Sequence, residues 1–539
     1  MDSDCQINQN SCYNKRVGPS RSGPFFLGHG LGSIQLNHPH VCRANSVAMK
    51  ISKHKWFWVT GTFAILAFLV LFIIRLDWLN KFLYRPKVLE ISVVNLSHAK
   101  ETWMNIFQNK RKIGFSHTRL SADSDGYHLQ ETVRMRINTM GMVQDIQLQT
   151  RGRLKEDFSL ADFDFNINSG RFSFHVDGSL SGDVLTIKTA SAGANRRMEI
   201  RLENKPYLLA GITSAMAAVE LKAGDKYAFD IFDPATMGQT PVIVDIIGQE
   251  EISIAGSQKT ATKVALNFKG TSQTAWIDKS GDVLQEKGLL GIRLEKTTRQ
   301  NALEGLGRQA SADLTEIASI ASNVVLENPD HLETLKFEIT GISDKRVRLD
   351  GGRQIFKKNV LTINRESIAN LANNIDRKDL QAFEEIYMRP SAFIQSDHQR
   401  IQTLAQKIVA NKNTSLEKVH ALVDWVHQNI EKRPVLSLPD ALSTLENRVG
   451  DCNEHAVLFA ALARAAGMPC RLEAGLVYLK GRFYYHAWNL VYLGRWITVD
   501  ALFGQLPADV SHIRLVTGSP RQQLDLMGFI GKVNLKVIQ

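Results

Sequence analysis

Cysteine is scarce in this chain. Its 539 residues include five cysteines, and Cys5, Cys12 and Cys42 all precede residue 49. The two that remain, Cys452 and Cys470, are too few for the disulfide framework of a small secreted protein. We expect Cys470 to be a small, buried apolar residue, which leaves Cys452 as a free thiol.

Motifs for cofactors and nucleic acids are also missing. The sequence has no glycine-rich nucleotide-binding loop and no interleaving of basic with aromatic residues, so we expect no cofactor and no nucleic-acid partner. The net charge of +11 is moderate for this length and is typical of a solvated surface, with attraction to acidic envelope surfaces as the alternative. Cys452, His455 and His486 lack the paired spacing of zinc ligands, so no metal site is predicted.

One long uncharged run lies near the N-terminus. Trp56–Ile74 contains 19 residues without a charge; as a helix it would span about 28 Å, close to the thickness of a bilayer core. The sequence therefore predicts a transmembrane anchor over residues 49–87, with residues 56–74 crossing the membrane. Residues 1–48 are expected to be a disordered leader, with translation starting at Met49. Basic residues flank the run on both sides, so charge does not orient it.

The middle of the chain predicts strands. Phe163, Phe165 and Ile167 alternate with polar residues, and Asn168-Ser169-Gly170 is a turn signal. We expect a β-rich domain over residues 95–300, a linker at 301–323 and a small β-rich unit at 324–390. The β-rich domain is either one antiparallel sheet or two packed lobes. It serves as a spacer or platform for the C-terminal domain, or it cradles an extended or lipidic ligand.

A helix is predicted to start at Cys452. Asp451 and Glu454 have the spacing of a capping box, and apolar residues then recur at helical intervals until Gly467. The positive end of a helix favours a thiolate, the reactive form of cysteine. Asp451 and Glu454 oppose that effect, so an imidazolium partner is needed.

His486 and Asp500 are predicted to face each other on a hairpin. Gly494 suits the last position of a three-residue loop, Tyr492-Leu493-Gly494, and that loop would place His486 directly opposite Asp500. His455 is an alternative base on the Cys452 helix, but it has no opposed carboxylate. Trp488 lies on the same strand face as His486, so it either contacts substrate or fills the core.

These residues resemble the transglutaminase-like cysteine hydrolase superfamily over residues 393–539. Many relatives carry an acidic residue where this chain has Leu490. Four blocks carry the resemblance: Gly450-Asp451-Cys452-Asn453-Glu454-His455-Ala456, Arg464-Ala465-Ala466-Gly467-Met468-Pro469-Cys470-Arg471, His486-Ala487-Trp488-Asn489 and Trp496-Ile497-Thr498-Val499-Asp500.

The resemblance implies roles for three residues: Cys452 as nucleophile, His486 as base and Asp500 as the residue that orients it. It also implies a C-terminal papain-like or transglutaminase-like cysteine hydrolase domain and favours a bacterial inner-membrane anchor through residues 56–74. Together with the predicted N-terminal transmembrane helix and β-rich middle region, this gives an expected fold class of α+β. The expected function is a membrane-anchored peptidase or amidase in the periplasm. It would form a thioester on peptide, protein or cell-envelope amides and have envelope protein partners. A transamidating transglutaminase and a catalytically idle envelope binding or assembly module are the alternatives.

Overall fold

The computed structural model describes residues 99–170, 172–191, 194–217, 221–305, 312–342, 347–369, 371, 377–435, 438–518 and 523–538. The predicted leader at 1–48 and the predicted anchor at 49–87 lie outside these residues. Among the helices that are described, none combines the length and the apolar composition needed to cross a membrane.

The predicted fold class is wrong. Strands make up 50% and helices 20% of the structure, so it is dominated by strands rather than balanced as α+β, and it offers no support for a membrane-spanning helix. The reason is the length of the strands in the middle of the chain, where several exceed ten residues.

The largest element is a fifteen-stranded sheet in the order β8-β7-β6-β5-β4-β3-β2-β1-β15-β14-β13-β12-β11-β10-β9. Apart from the parallel pair β9–β10, neighbouring strands run antiparallel. Its strands are β1 Lys100–Gln108, β2 Arg111–Asp123, β3 Gly126–Thr139, β4 Met142–Leu154, β5 Leu160–Ser169, β6 Phe172–Ser181, β7 Val184–Ser191, β8 Ala194–Arg201, β9 Pro206–Tyr207, β10 Lys226–Asp233, β11 Gly238–Ile254, β12 Ser257–Phe268, β13 Thr271–Ile277, β14 Val283–Lys287 and β15 Ile292–Thr297.

This sheet curls over its own apolar face. Phe163 on β5 and Phe232 on β10 are ten strands apart in the sheet order, yet their ring centroids are 5.3 Å apart. Helix α1, Leu209–Ala217, adds Ile212 and Met216 to the same buried core. Sheets twist with a fixed hand, and a sheet of this many strands commonly curls or splits, so one continuous core forms instead of two packed lobes.

The C-terminal part of the chain contains three smaller sheets. A five-stranded sheet has the order β16-β23-β22-β25 with β24 added to β23, a four-stranded sheet has the order β18-β19-β17-β26, and β20 pairs with β21. The strands are β16 Ile320–Ala321, β17 Thr334–Thr340, β18 Gln354–Lys357, β19 Val360–Asn364, β20 Glu431–Lys432, β21 Val449–Gly450, β22 Cys470–Leu479, β23 Arg482–Tyr492, β24 Trp496–Val499, β25 Ile513–Thr517 and β26 Asn534–Val537.

Helices pack against the five-stranded sheet. The helices after α1 are α2 Arg299–Leu303, α3 Leu314–Ala318, α4 Arg377–Phe383, α5 Gln399–Val409, α6 Ser415–Asn429, α7 Ala441–Asn447 and α8 Cys452–Ala465. Short 3-10 turns lie at Leu289–Gly291, Pro329–His331 and Leu524–Phe529, and a π turn lies at Glu384–Met388. Helix α8 is the centre of this layer, since Ala456 to Ala463 are all buried.

The segment predicted as a small separate unit, 324–390, shares its sheet and its core with the C-terminal region. Strand β17 pairs with β26 at the far end of the chain, and Phe337 on β17 packs edge-on against Phe483 on β23 at 5.7 Å. Both phenylalanines are fully buried. The apolar face of β17 is therefore covered by the sheet that carries the candidate site.

The fifteen-stranded sheet also contacts the C-terminal region close to Cys452. Phe172 on β6 forms a small apolar cluster with Val435 and Val449, and Val449 lies three residues before Cys452. The Gln144 side-chain amide donates to the Pro434 carbonyl at 2.8 Å. The entry to helix α8 is thus supported from outside its own region.

Candidate active site

The start of helix α8 holds Cys452 in a defined position. Asp451 is the N-cap: its carboxylate accepts from the Asn453 N–H at 2.9 Å, and Glu454 accepts in return from the Asp451 N–H at 3.0 Å. This is the capping box that the sequence predicts. Gly450 is required just before it, because a Cβ there would lie 2.3 Å from the Glu454 Cβ. Cys452 is consequently the first residue of the helix.

Cys452 is a partly exposed residue and forms no disulfide, while Cys470 is fully buried and also free. The sulfur of Cys452 accepts a hydrogen bond from the Ala487 N–H, directly after His486. Burial raises the pKa of this thiol well above its usual value, and the charges of Asp451, Glu454 and Asp500 act in the same direction. Burial and these three carboxylates therefore disfavour the thiolate in the resting site.

His486 and Asp500 are hydrogen-bonded. The Nε2 atom of His486 lies 2.6 Å from Oδ2 of Asp500, and both side chains are buried. This contact fixes the tautomer of the neutral ring: Nε2 carries a proton toward the carboxylate, and Nδ1 is left for proton exchange.

The hairpin register differs from the predicted one by two residues. Gly494 is left-handed, at φ 80°, but the turn comes one residue later, so Tyr492 pairs with Trp496 and Asn489 with Val499. Asp500 follows the last paired residue of β24 and reaches His486 diagonally. A shift of two preserves the strand face, whereas a shift of one would invert it, so the two side chains still meet.

Asp500 accepts four hydrogen bonds. Its Oδ1 accepts from the N–H groups of Leu502 at 2.8 Å and Phe503 at 3.0 Å, and its Oδ2 is shared by His486 and His512. Burial alone would raise the pKa of Asp500, but the charges and hydrogen bonds of the two imidazoles outweigh burial and lower it strongly. The carboxylate is therefore ionised.

His512 is a site residue that the sequence does not predict. It is fully buried, with Nε2 3.0 Å from Asp500 and Nδ1 3.1 Å from Asp509. Burial would lower the pKa of His512, yet the two carboxylates raise it to about 9. His512 is thus an imidazolium that shares the Oδ2 atom of Asp500 with His486. It comes from the segment between β24 and β25, and no pattern in the sequence marks that segment as close to Asp500.

Gly475 lets this segment approach. It is the cross-strand partner of His486, and a Cβ at Gly475 would lie 1.9 Å from the carbonyl oxygen of Ile513. Strand β25 can therefore pack closely beside β22, which brings the preceding His512 to Asp500.

Aromatic rings enclose the imidazole of His486. Phe503 stacks on it at 5.1 Å, and Trp488 lies 6.0 Å away on the same strand face. Trp488 is 1% exposed and donates its indole N–H to Glu473 at 3.1 Å. Its predicted contact with substrate stays a prediction.

His455, the alternative base, points elsewhere. Its Nδ1 contacts the Asp451 carbonyl at 2.7 Å within the first turn of α8. Among the groups that the structure describes, no carboxylate is hydrogen-bonded to the His455 ring. Of the two candidate bases, His486 is the one with a carboxylate partner.

Three side chains have the donor atoms of a metal site. The ligand atoms of His486, Asp500 and His512 lie within 4.8 Å of one another. The contacts to Asp500 at 2.6 and 3.0 Å have hydrogen-bond lengths, and His512 is protonated between two carboxylates, whereas a metal requires neutral imidazoles. The donor set therefore fits protons better than a metal.

Comparison with known proteins assigns a family to part of the chain. Residues 402–501 match the model of the transglutaminase-like superfamily. That segment contains Cys452, His486 and Asp500, so the resemblance predicted from the four sequence blocks is confirmed: the chain carries a transglutaminase-like core domain. It matches no curated protein.

Solved structures resemble the chain over limited stretches. A candidate cysteine protease from Cytophaga hutchinsonii is 19% identical and covers 40% of this chain and 81% of its own, with a TM-score of 0.26. The periplasmic domain of TgpA from Pseudomonas aeruginosa is 21% identical and covers 24% of this chain and 49% of its own, with a TM-score of 0.19. These likenesses are weak overall, so the proposals below depend on the residues of this chain.

Proposed function

We propose that the protein is a cysteine peptidase or amidase in which Cys452 is the nucleophile, His486 the general base and acid, and Asp500 the orienting carboxylate. The observation that supports this most strongly is the buried contact of 2.6 Å between His486 and Asp500. The Cys452 sulfur lies against the backbone N–H that follows the same histidine, and Cys452 is a partly exposed residue with a free thiol.

The reaction starts from the thiol of Cys452, with Nδ1 of His486 as the proton acceptor. As the sulfur attacks the carbonyl carbon of an amide, its proton passes to Nδ1 of His486, and the ionised Asp500 stabilises the resulting imidazolium. The Cys452 N–H, at the positive end of α8, stabilises the oxyanion. The imidazolium then donates its proton to the departing amine, which leaves a thioester on Cys452. Water deprotonated by His486 hydrolyses the thioester and restores the thiol.

The same residues support transamidation, in which an amine replaces water. Leu490 is buried and takes the place of the acidic residue found in many relatives, so it supplies no charge to attract an amine. We therefore favour hydrolysis of the thioester over its attack by an amine. The predicted envelope location and envelope protein partners stay predictions.

Acylation by a small active ester tests this proposal without knowledge of the natural substrate. The protein is mixed with p-nitrophenyl acetate, quenched in acid and digested, and the acetylated residue is identified by mass spectrometry. We expect a thioester on Cys452, lost in Cys452→Ala and slowed at least about a hundredfold in His486→Ala, because the base is removed. Cys470→Ala is the matched control and should acylate normally.

Two outcomes would contradict the proposal. One is acetylation confined to Cys470 or to surface lysines. The other is acylation of Cys452 at an equal rate in His486→Ala. Adding a primary amine then separates the two reactions: faster loss of the thioester with amide formation indicates transamidation, and an unchanged rate indicates hydrolysis.

A further inference from the structure

A cavity lies inside the curled fifteen-stranded sheet, away from the Cys452 site. It has a volume of about 180 Å³ and is walled by β1, β2, β3, β12, β13, β14 and β15, with helix α1 supplying Leu209 and Thr213. A dry cavity of roughly 150 Å³ holds benzene, so this one has room for a small organic molecule.

The cavity contains two carboxyl groups, from Glu131 on β3 and Glu286 on β14. These strands are four positions apart in the sheet order, and the curl brings both side chains to one space. Each is partly exposed, yet the surrounding chain desolvates its charged form. Within the part of the chain that the structure describes, neither carboxyl has a hydrogen bond or an ion pair to a side chain or to a backbone N–H.

The neighbouring cation does not neutralise them. Lys100 lines the same cavity, but its ammonium is paired with Asp282 at 2.8 Å and donates to the Gly281 carbonyl at 3.0 Å. Asp282 also pairs with Lys296. These two lysines and one aspartate carry one net positive charge, but among the described residues neither ammonium pairs with Glu131 or Glu286.

Hydroxyl groups lie beside the carboxyls. Thr102, Thr118 and Glu131 are directly opposed across β1, β2 and β3, so they form one row along the wall. The rest of the lining is largely apolar and includes Met104, Leu120 and Leu294. The cavity thus has a polar row of hydrogen-bond acceptors and an apolar remainder.

Unpaired buried carboxyls destabilise a fold. Burial raises the pKa of Glu131 to about 7, with the charge of Glu286 adding to it, and burial also raises the pKa of Glu286. A cationic group placed between them would remove this penalty.

We propose that this cavity binds a small organic ammonium compound, with its charged nitrogen against Glu131 and Glu286 and a short apolar body against the aliphatic lining. The threonine hydroxyls accept the remaining N–H donors. A bare divalent cation would satisfy the carboxylates but would leave the apolar part of the cavity unfilled. This site is independent of the proposed hydrolase and is present whether or not Cys452 is catalytic.

Calorimetric titration of the full chain with three ligands of equal length provides the test: n-hexylammonium, 1-hexanol and hexanoate. We expect hexylammonium to bind at least about tenfold more tightly than hexanol, since a charge-assisted hydrogen bond is lost with the neutral ligand, and hexanoate not to bind. Glu131→Gln and Glu286→Gln should each weaken hexylammonium binding at least about tenfold. Glu251→Gln, at an exposed position on β11, is the matched control and should bind normally.

The proposal is overturned if hexylammonium does not bind, if hexanol binds equally well, or if both glutamine variants bind hexylammonium as tightly as the wild type. Saturation by calcium or magnesium in place of hexylammonium would also overturn it, because the site would then be a metal site. Failure of a variant to fold does not obscure the result, since the comparison of the three ligands needs only the wild-type protein.

Discussion

The C-terminal region and the curled sheet differ in whether their enclosed carboxyl groups have partners. In the C-terminal region, Asp500 is bound by two imidazoles, and Glu473 accepts from Trp488 and pairs with Arg514. In the sheet, Glu131 and Glu286 face a cavity without such partners among the described residues. Hydrogen-bonded partners hold the Asp500 carboxylate in one position, which suits catalysis. The two glutamates lack such partners, so a cationic ligand can supply the missing contacts.

The largest expected effect is the loss of acyl transfer in Cys452→Ala. Removing a nucleophile typically costs roughly 10⁴-fold or more in rate. Cys470→Ala should retain wild-type activity, because its thiol is buried and burial raises its pKa to about 12. The burst of nitrophenol from p-nitrophenyl acetate measures both variants. Equal bursts in Cys452→Ala and the wild type would show that another residue is acylated.

Asp500→Asn should lower kcat by roughly 10³- to 10⁴-fold, as the loss of an orienting carboxylate does in a comparable triad. The amide can hold the ring only in the wrong tautomer and cannot stabilise the imidazolium. Asp509→Asn is the control, since Asp509 contacts His512 and not His486, and it should lose about tenfold or less. A larger loss in Asp509→Asn than in Asp500→Asn would contradict the assigned roles.

His512→Gln tests whether the contacts of His512 with Asp500 and Asp509 stabilise the C-terminal region. The pKa of His512 is raised from 6.5 to about 9 in the folded state, so its contribution to stability is complete below about pH 6.5 and disappears as the pH rises through 9. The variant should lose about 3 kcal/mol of unfolding free energy at pH 6 and much less at pH 10. Urea unfolding at both pH values measures this. An equal loss at the two pH values would indicate packing alone.

Alkylation of Cys452 by iodoacetamide should be slow at neutral pH. Only the thiolate reacts, and the pKa of this thiol is raised, so the rate at pH 7 should be at least about tenfold below that of a free cysteine and should climb as the pH is raised. Mass spectrometry of the Cys452 peptide gives the rate. A fast rate that is constant from pH 5 upward would mean that a resting ion pair with His486 exists.

Glu131→Gln should have the smallest effect, and it should raise the free energy of unfolding, whereas His512→Gln lowers it. The folded-state pKa of Glu131 is raised from 4.5 to about 7, so its ionisation destabilises the fold as the pH rises above 4.5. Without a ligand, the variant should gain about 1 kcal/mol at pH 8 and nothing at pH 4. Thermal unfolding of both proteins measures the difference. A loss of stability at pH 8 would mean that Glu131 has a stabilising partner.

The sequence predicts local features of the site better than distant contacts. The capping box at Asp451 and Glu454 depends on residues three apart, and both it and the left-handed Gly494 are found. The predicted pairing of β23 with β24 is wrong by two residues, because the position of the turn within Tyr492–Arg495 depends on packing as well as on Gly494. His512 is missed because its approach to Asp500 requires β25 to lie against Gly475, which no short-range pattern encodes.

The curled sheet is also hard to predict, because it depends on contacts between residues far apart in the sequence. Alternation in β5 and β6 predicts the strands, but not their order or the contact between Phe163 and Phe232 ten strands away. The position of Glu286 opposite Ala275 and Leu294 depends on that order. The shared cavity of the two glutamates therefore emerges only when the whole sheet is assembled.

The most direct test of the central claim is amide cleavage itself. The wild-type chain is incubated with a complex mixture of peptides, and newly formed N-termini are identified by mass spectrometry beside Cys452→Ala and His486→Ala. The account predicts new termini with the wild type that are absent with both variants. The same set of new termini with Cys452→Ala would contradict it.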